Sequence, residues 1–239
     1  MRRFLRTRGA VDAGMSLTEL LVTMFITSIL IAGTATLVVG ITRTNGANID
    51  RTDQVDTARV GVERMVQTLR TSVMQSQLGC SGCTEDAFIQ GADYGVQFYA
   101  NLNNADGSVG PSKVTYRIVA TGTGTGDLHQ TVQKPDSNVP SPTGGYLYAN
   151  AANAVDSVVA RGVLTDTGAP IFGYYDGASA RLVPGAGALT SAQLKNVLAI
   201  EVQLTVQTSS KRALPTTYVQ RLLLPNAQAV IRQNEETTP

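Results

Sequence analysis

The sequence predicts an α+β fold, in which one long N-terminal helix precedes an antiparallel sheet. Residues 20–41 form a run of 22 uncharged, mostly apolar residues. A second apolar pattern, with helical steps of three and four residues, follows this run as far as residue 73. From residue 96 onward the pattern changes to short runs of β-branched and aromatic residues between turn-forming clusters, which is typical of strands.

A short basic leader precedes the apolar run, and one carboxylate, that of Glu19, stands at the start of the run. As a helix, residues 20–41 extend about 33 Å, which is enough to cross a bilayer. The run is longer than the apolar core of an ordinary secretory signal and no small-residue cleavage site follows it. Because four arginines crowd the leader, we expect a cytoplasmic N-terminus and export of the chain beyond residue 41.

The sequence GMSLTE at residues 14–19 resembles the processing site of type IV prepilins and of the pseudopilins of type II secretion. In that family the leader ends in glycine and a glutamate is the fifth residue of the mature chain. Counted from Met15, Glu19 is the fifth residue. The resemblance implies a pilin-like fold, cleavage between Gly14 and Met15 by a prepilin peptidase, and N-methylation of Met15. Phenylalanine is commoner than methionine at that position in the family.

The carboxylate of Glu19 needs a partner if it enters hydrocarbon, because an unpaired charge is costly there. In the filaments of the family, the partner is the N-terminal amine of a neighbouring subunit. The resemblance therefore implies that Glu19 is an assembly residue. The simpler alternative is that Glu19 lies at the membrane interface of a single-span anchor, where headgroups solvate it.

Beyond the apolar run the helix is predicted to continue with an amphipathic pattern. The apolar positions of this pattern are Val55, Ala58, Val62, Met65, Val66, Leu69 and Val73. No proline precedes Pro111, so we expect one helix over residues 16–78, on the order of 90 Å long, ended by Gly79. Within the resemblance, the lack of a kinking proline favours a minor pilin or a pseudopilin.

Four segments follow from these patterns. They are a cleaved leader (1–14), a transmembrane or filament-core helix (15–41), an amphipathic continuation (42–79) and an exported β-rich domain (80–239). Strands are predicted in the last segment at residues 96–100, 114–120, 128–132, 155–164, 171–175, 181–183, 197–207 and 218–224. The clearest is 197–207, where apolar and polar residues alternate and one face of the strand is predicted to be buried.

The order of the C-terminal segments carries a second, looser resemblance. The sequences VVARGV (158–163), PIFGYYD (170–176), LKNVLAIEV (194–202) and LLLPN (222–226) are similar to the C-terminal half of J-type minor pseudopilins and W-type minor pilins. This resemblance implies a low-copy subunit that primes or caps a filament. It leaves open which of the two types the chain is closer to.

Cys80 and Cys83 are the only cysteines, and they form a C-x-x-C sequence just after the predicted helix end. Because exported proteins meet an oxidising environment, a disulfide is the leading interpretation. Two free thiols, or half of a zinc site, are the alternatives. Zinc needs about four ligands, and the only histidine, His129, lies far along in a predicted strand. We therefore expect no metal and no other cofactor.

The charge of the mature chain gives no electrostatic case for nucleic-acid binding. Residues 1–14 hold four arginines and one aspartate, so their removal changes the formal net charge from +1 to −2. A tip subunit that binds DNA or a surface is an alternative, although basic residues are sparse after residue 80. A membrane-anchored enzyme is a further alternative, but the sequence has one histidine and none of the common hydrolase or phosphate-binding motifs. We expect no enzymatic activity and no catalytic residue.

The partners implied by the family resemblance are those of a filament machine. They are other pilins or pseudopilins, the prepilin peptidase, a polytopic platform protein and an assembly ATPase. The implied location is the cytoplasmic membrane, crossed once, and then a periplasmic or cell-surface filament.

Overall fold

The computed structural model describes residues 14–80, 82–102, 104, 109–142 and 144–224. The fold is α+β, as predicted, with helix α1 (Leu17–Leu69) and a curled antiparallel sheet of nine strands. The chain divides into two compact units, Met1–Ala47 and Asn48–Pro239, so α1 contributes to each. Within the first unit the described residues are exposed almost throughout.

The nine strands all belong to one sheet in the second unit. They are β1 (Phe88–Ala92), β2 (Gly95–Ala100), β3 (Ser112–Gly122), β4 (Thr125–Gln133), β5 (Ala154–Leu164), β6 (Phe172–Tyr175), β7 (Arg181–Leu182), β8 (Ala199–Val206) and β9 (Thr216–Leu223). Their order is β1-β2-β3-β4-β5-β8-β6-β7, and β9 also pairs with β8. Strands β1 to β5 form a meander of sequential antiparallel pairs. A single turn of helix, α2 (Ser191–Leu194), precedes β8.

The part of α1 in the second unit lies on the sheet and contributes to its core. The predicted apolar face is largely confirmed, because the helix residues buried in that core are Ala58, Val62, Met65, Val66 and Leu69. Val55, which was predicted on the same face, is 38% exposed. Its place near the beginning of the packed segment leaves it beside the sheet and in contact with solvent.

Gly61 allows α1 to approach the sheet closely. A Cβ atom added at this residue would lie 3.0 Å from Cδ2 of Leu204 on β8 and 3.3 Å from Cβ of Ala160 on β5. Glycine lowers helix propensity at an interior position. Here that loss is offset by close packing of the helix on two strands.

Helix α1 ends at Leu69, nine residues before the predicted end at Leu78. The chain then pairs with the end of β2, because the N–H of Val73 donates to the carbonyl of Tyr99 (3.0 Å) and the N–H of Asn101 donates to the carbonyl of Thr71 (2.9 Å). The prediction was wrong here because non-local backbone pairing replaces the local helical pattern. Gly79 does adopt a left-handed conformation (φ 80°), but it follows a separate 3-10 helix, Gln75–Gln77.

Each of the eight predicted strands overlaps an observed strand, whereas β1 was not predicted. In β8, the alternation is confirmed by buried Ile200, Val202 and Leu204, with Glu201 and Gln203 partly exposed between them. Strand β1 has only five residues and its burial does not alternate, so it gives no period-2 signal.

Candidate assembly segment and its supporting networks

The predicted cleavage point lies in an exposed stretch before the helix. Gly14, Met15 and Ser16 are outside regular structure, and Met15 is 64% exposed. A Cβ atom added at Gly14 would meet no atom within 4 Å. The peptide bond between Gly14 and Met15 is therefore accessible to an enzyme. The arginines of the predicted leader lie outside the described residues.

Ser16 caps the first turn of α1. Its hydroxyl oxygen accepts a hydrogen bond from the N–H of Glu19 (3.2 Å), and its carbonyl accepts one from the N–H of Leu20 (3.1 Å). Serine followed three residues later by glutamate is the spacing of a capping box. The sequence reasoning missed this role of Ser16, although the motif SLTE carries the signal.

Glu19 is exposed in the first turn of α1. Its position suits the positive end of the helix dipole, which favours a carboxylate. Within the described part of the chain, its carboxylate makes no hydrogen bond and no ion pair. Among the described residues, the first turn of α1 is therefore the one feature that favours a negative charge at Glu19.

The apolar run that follows Glu19 is exposed along its whole length. Its hydroxyl groups are nevertheless satisfied, because each donates to a backbone carbonyl three or four residues earlier, at Thr23, Thr27, Ser28, Thr34 and Thr36. Such bonds reduce the cost of placing hydroxyls in a lipid or protein interior. The helix is long and apolar enough to cross a membrane, and a signal sequence would meet the same criteria.

Cys80 and Cys83 form the predicted disulfide. The buried amide of Gln75 lies beside it, where its nitrogen donates to the carboxylate of Glu85 (2.7 Å) and its oxygen accepts from the N–H of Tyr146 (2.8 Å). These contacts fix the turn after α1 to a distant part of the chain. Since both sulfurs are in the disulfide, neither is available as a zinc ligand. The described residues hold no group of three or more His, Cys, Asp or Glu side chains placed to bind a metal.

The hydroxyl of Tyr99 also donates to Glu85 (2.6 Å), which links β2 to the same network. Burial, and next the hydrogen bond to the Glu85 carboxylate, raise the pKa of Tyr99 well above its ordinary value. The ring of Tyr148 packs against that of Tyr99 with centroids 5.6 Å apart. Burial also raises the pKa of Tyr148. These tyrosines are structural parts of the domain and stay neutral at physiological pH.

His129 lies on an outer face of the sheet, where its Nδ1 is 2.6 Å from a carboxylate oxygen of Asp156. The other oxygen of Asp156 accepts from Thr131 (2.7 Å) and Arg117 (3.2 Å). The hydrogen bond with His129, followed by that with Thr131, lowers the pKa of Asp156. Among the described residues, the one hydroxyl bonded to this cluster, that of Thr131, donates to the carboxylate of Asp156 and not to the imidazole of His129. The arrangement joins β3, β4 and β5 and does not resemble an activated nucleophile.

Several basic side chains of the sheet domain already have anionic or aromatic partners. Ion pairs hold Arg117, Arg161 and Arg212, while Lys113 and Arg221 lie over the rings of Tyr148 and Tyr175. Arg232 lies outside the described residues. The carboxylates partly offset the charges of the three arginines, whereas the ring contacts leave the charges of Lys113 and Arg221 in place.

No protein-family model matches this chain, and no curated protein matches it in sequence. The architecture is pilin-like: a long N-terminal apolar helix whose later part packs on a C-terminal antiparallel sheet. A filament subunit is consistent with that fold.

Proposed function

We propose that this chain is a minor pilin or pseudopilin, a structural subunit that primes or caps a type IV pilus-like or type II secretion-like filament. One observation carries the proposal. Among the described residues, an unpaired, exposed Glu19 begins an exposed apolar run, residues 20–41, directly after the exposed residues Gly14 and Met15. An apolar surface of this extent is unfavourable in water and indicates a lipid or helical environment.

The proposed mechanism has two stages. In the membrane, residues 20–41 span the bilayer, a prepilin peptidase cleaves after Gly14, and the new amine of Met15 is methylated. During assembly, a platform protein and a cytoplasmic ATPase extract the subunit, and its apolar helix packs among the helices of other pilins or pseudopilins. In that low-dielectric bundle, the carboxylate of Glu19 pairs with the amine of a neighbouring subunit, and the pairing sets the axial register. The role is structural and needs neither a catalytic residue nor a cofactor.

Processing is tested by Gly14→Val in cells that carry the prepilin peptidase. Because a Cβ atom added at Gly14 would meet no described atom within 4 Å, we expect the substitution to leave the fold intact. We expect the variant to retain its leader and to be about 1.5 kDa heavier than the mature chain, in proportion to 14 of 239 residues and 25.2 kDa. Gly9→Val, at the other glycine of the leader, should be cleaved normally. A native chain whose intact mass still includes Met1 would overturn the proposed processing.

The role of Glu19 is tested by comparing Glu19→Gln with Glu19→Val. Glutamine preserves the capping-box spacing with Ser16 but carries no charge. If the charge serves assembly, both variants should be cleaved yet lost from the sheared filament fraction. Normal incorporation of Glu19→Gln would show that the charge is not needed for assembly and would overturn the proposed pairing. Ser16→Ala, which removes the cap and keeps the charge, is the matched control and should still be incorporated.

A further inference from the structure

The loop between β8 and β9, residues 207–215, is attached to α1 by polar contacts. In the amide orientation that satisfies every neighbour, the buried side chain of Gln54 donates to the carbonyl of Leu214 (2.8 Å) and accepts from the N–H of Thr208 (3.2 Å). One turn earlier on α1, the carboxylate of Asp50 accepts a hydrogen bond from the hydroxyl of Ser210. Helix α1 therefore fixes the 207–215 loop at two points.

These contacts also give the loop a direction. Its base, at Thr208 and Leu214, is held by Gln54, and Ser210, nearer the tip, is held by Asp50. The tip therefore extends along α1 toward the N-terminal end of the helix. In the sequence, Asp50 is nine positions after residue 41, the last residue of the apolar run.

The exposed side chains of the loop suit a lipid surface. Lys211 and Arg212 are exposed, and Leu214, at 86%, is the most exposed large apolar side chain of the described residues. Asp50 lies 4.0 Å from Arg212 and partly offsets its charge. Within the described chain Lys211 makes no ion pair. The loop therefore keeps a positive charge close in sequence to an exposed leucine. Cations next to apolar side chains are the combination that binds anionic membrane surfaces.

We propose that the 207–215 loop contacts anionic lipid headgroups while the subunit waits in the membrane. The inference rests on the proposed function, because only an anchored chain brings this loop to a bilayer. The contact orients the sheet domain on the membrane surface, and it is lost when the subunit is extracted into a filament. Each basic side chain near an anionic surface strengthens such a contact about fivefold.

The chain contains no tryptophan, so the fluorescence of a single introduced tryptophan reports on one position. We would reconstitute the full chain, as Leu214→Trp, in vesicles of phosphatidylcholine with and without phosphatidylglycerol, each carrying a headgroup-attached spin-label quencher. Leu223→Trp is the matched control, because Leu223 is 70% exposed and pairs with Ala199 at the opposite end of β9. We expect strong quenching of Leu214→Trp in the anionic vesicles and little quenching of Leu223→Trp. Added salt should weaken the effect, and Lys211→Gln should reduce the surface contact about fivefold.

The outcomes separate the two proposals. If the chain floats with the vesicles but Leu214→Trp is quenched no more than Leu223→Trp, the lipid contact is overturned and the membrane anchor stands. If the chain does not float with the vesicles, the anchor fails and the contact fails with it. If quenching follows the protein-to-lipid ratio and not the lipid charge, the loop contacts a second copy of the chain, and the lipid proposal is overturned.

Discussion

Gly61→Val tests how α1 packs on the sheet. The added Cβ would lie 3.0 Å from Cδ2 of Leu204 and 3.3 Å from Cβ of Ala160, and valine adds two further methyl groups to the same space. Overpacking of this kind costs about 1–3 kcal/mol. The better helix propensity of valine returns only a few tenths of a kcal/mol. We therefore expect a net loss of about 0.5–2.5 kcal/mol in the free energy of unfolding.

The assay is thermal unfolding of the full chain in detergent, followed by circular dichroism. For a domain of this size, a loss of 1 kcal/mol lowers Tm by roughly 2–4 °C, so Gly61→Val should lower Tm by roughly 1–10 °C. Gly61→Ala should change Tm little, because the end of the Leu204 side chain can move and alanine favours the helix by about 1 kcal/mol. Gly40→Val is the control on the same helix, since an added Cβ there meets no atom within 4 Å.

A double variant sharpens the test. Because Gly61→Val acts through Leu204, the loss in Gly61→Val combined with Leu204→Ala should be smaller than the sum of the two single losses. Additive losses would contradict the proposed contact. Equal Tm values for the valine and alanine variants at residue 61 would refute the close packing itself.

Three further predictions concern the sheet domain. Cys80→Ser should lower the free energy of unfolding by about 2 kcal/mol, because the disulfide closes a short loop. Reduction of the disulfide in the native chain should lower the free energy of unfolding by a similar amount. Because the pKa of Asp156 is lowered in the folded chain, the stability that its carboxylate contributes is present above the unfolded pKa of about 3.9 and is lost as pH falls through the lower folded pKa. In urea titrations between about pH 5 and pH 2, the free energy of unfolding of Asp156→Asn should therefore depend less on pH than that of the native chain. Burial raises the pKa of Tyr116 to about 12, so the stability that its neutral form contributes is complete below the unfolded pKa and is lost as pH rises toward 12. In an ultraviolet absorbance titration, Tyr116→Phe should remove the ionisation of one tyrosine whose pKa is raised.

The sequence predicts the elements whose signal is local. The helical repeat after residue 41 identifies the buried face of α1, and the alternation in β8 identifies a strand with one face in the core. The end of α1 depends on a bridge between Ser72 and Ala100, which are far apart in sequence, and no local pattern predicts it. The sequence analysis missed strand β1 for a related reason, because the position of this strand is fixed by its pairing with β2.

The residues of the candidate site also divide into those that a local sequence motif identifies and those whose partners are distant in sequence. The spacing of Gly14, Met15 and Glu19 is a motif and can be recognised without a structure. Gln54 and Gln75 are polar residues that would be expected at the surface, yet both are fully buried. Gln54 bonds Thr216, 162 residues later, and Gln75 bonds Tyr146, 71 residues later. Such partners become apparent only when the fold brings them together.

Polar side chains along α1 find their partners in two different ways, and Glu19 is the exception that bears on assembly. In the apolar run, hydroxyls such as that of Thr27 bond the helix's own carbonyls. In the packed part, Asp50 and Gln54 bond the 207–215 loop. The carboxylate of Glu19 has neither kind of partner among the described residues, although it begins a surface that must leave water. If this carboxylate enters a low-dielectric bundle, as proposed, its charge needs a partner there. The proposed amine of a neighbouring subunit would supply the opposite charge, and the uncharged side chain of Glu19→Gln could not form that ion pair.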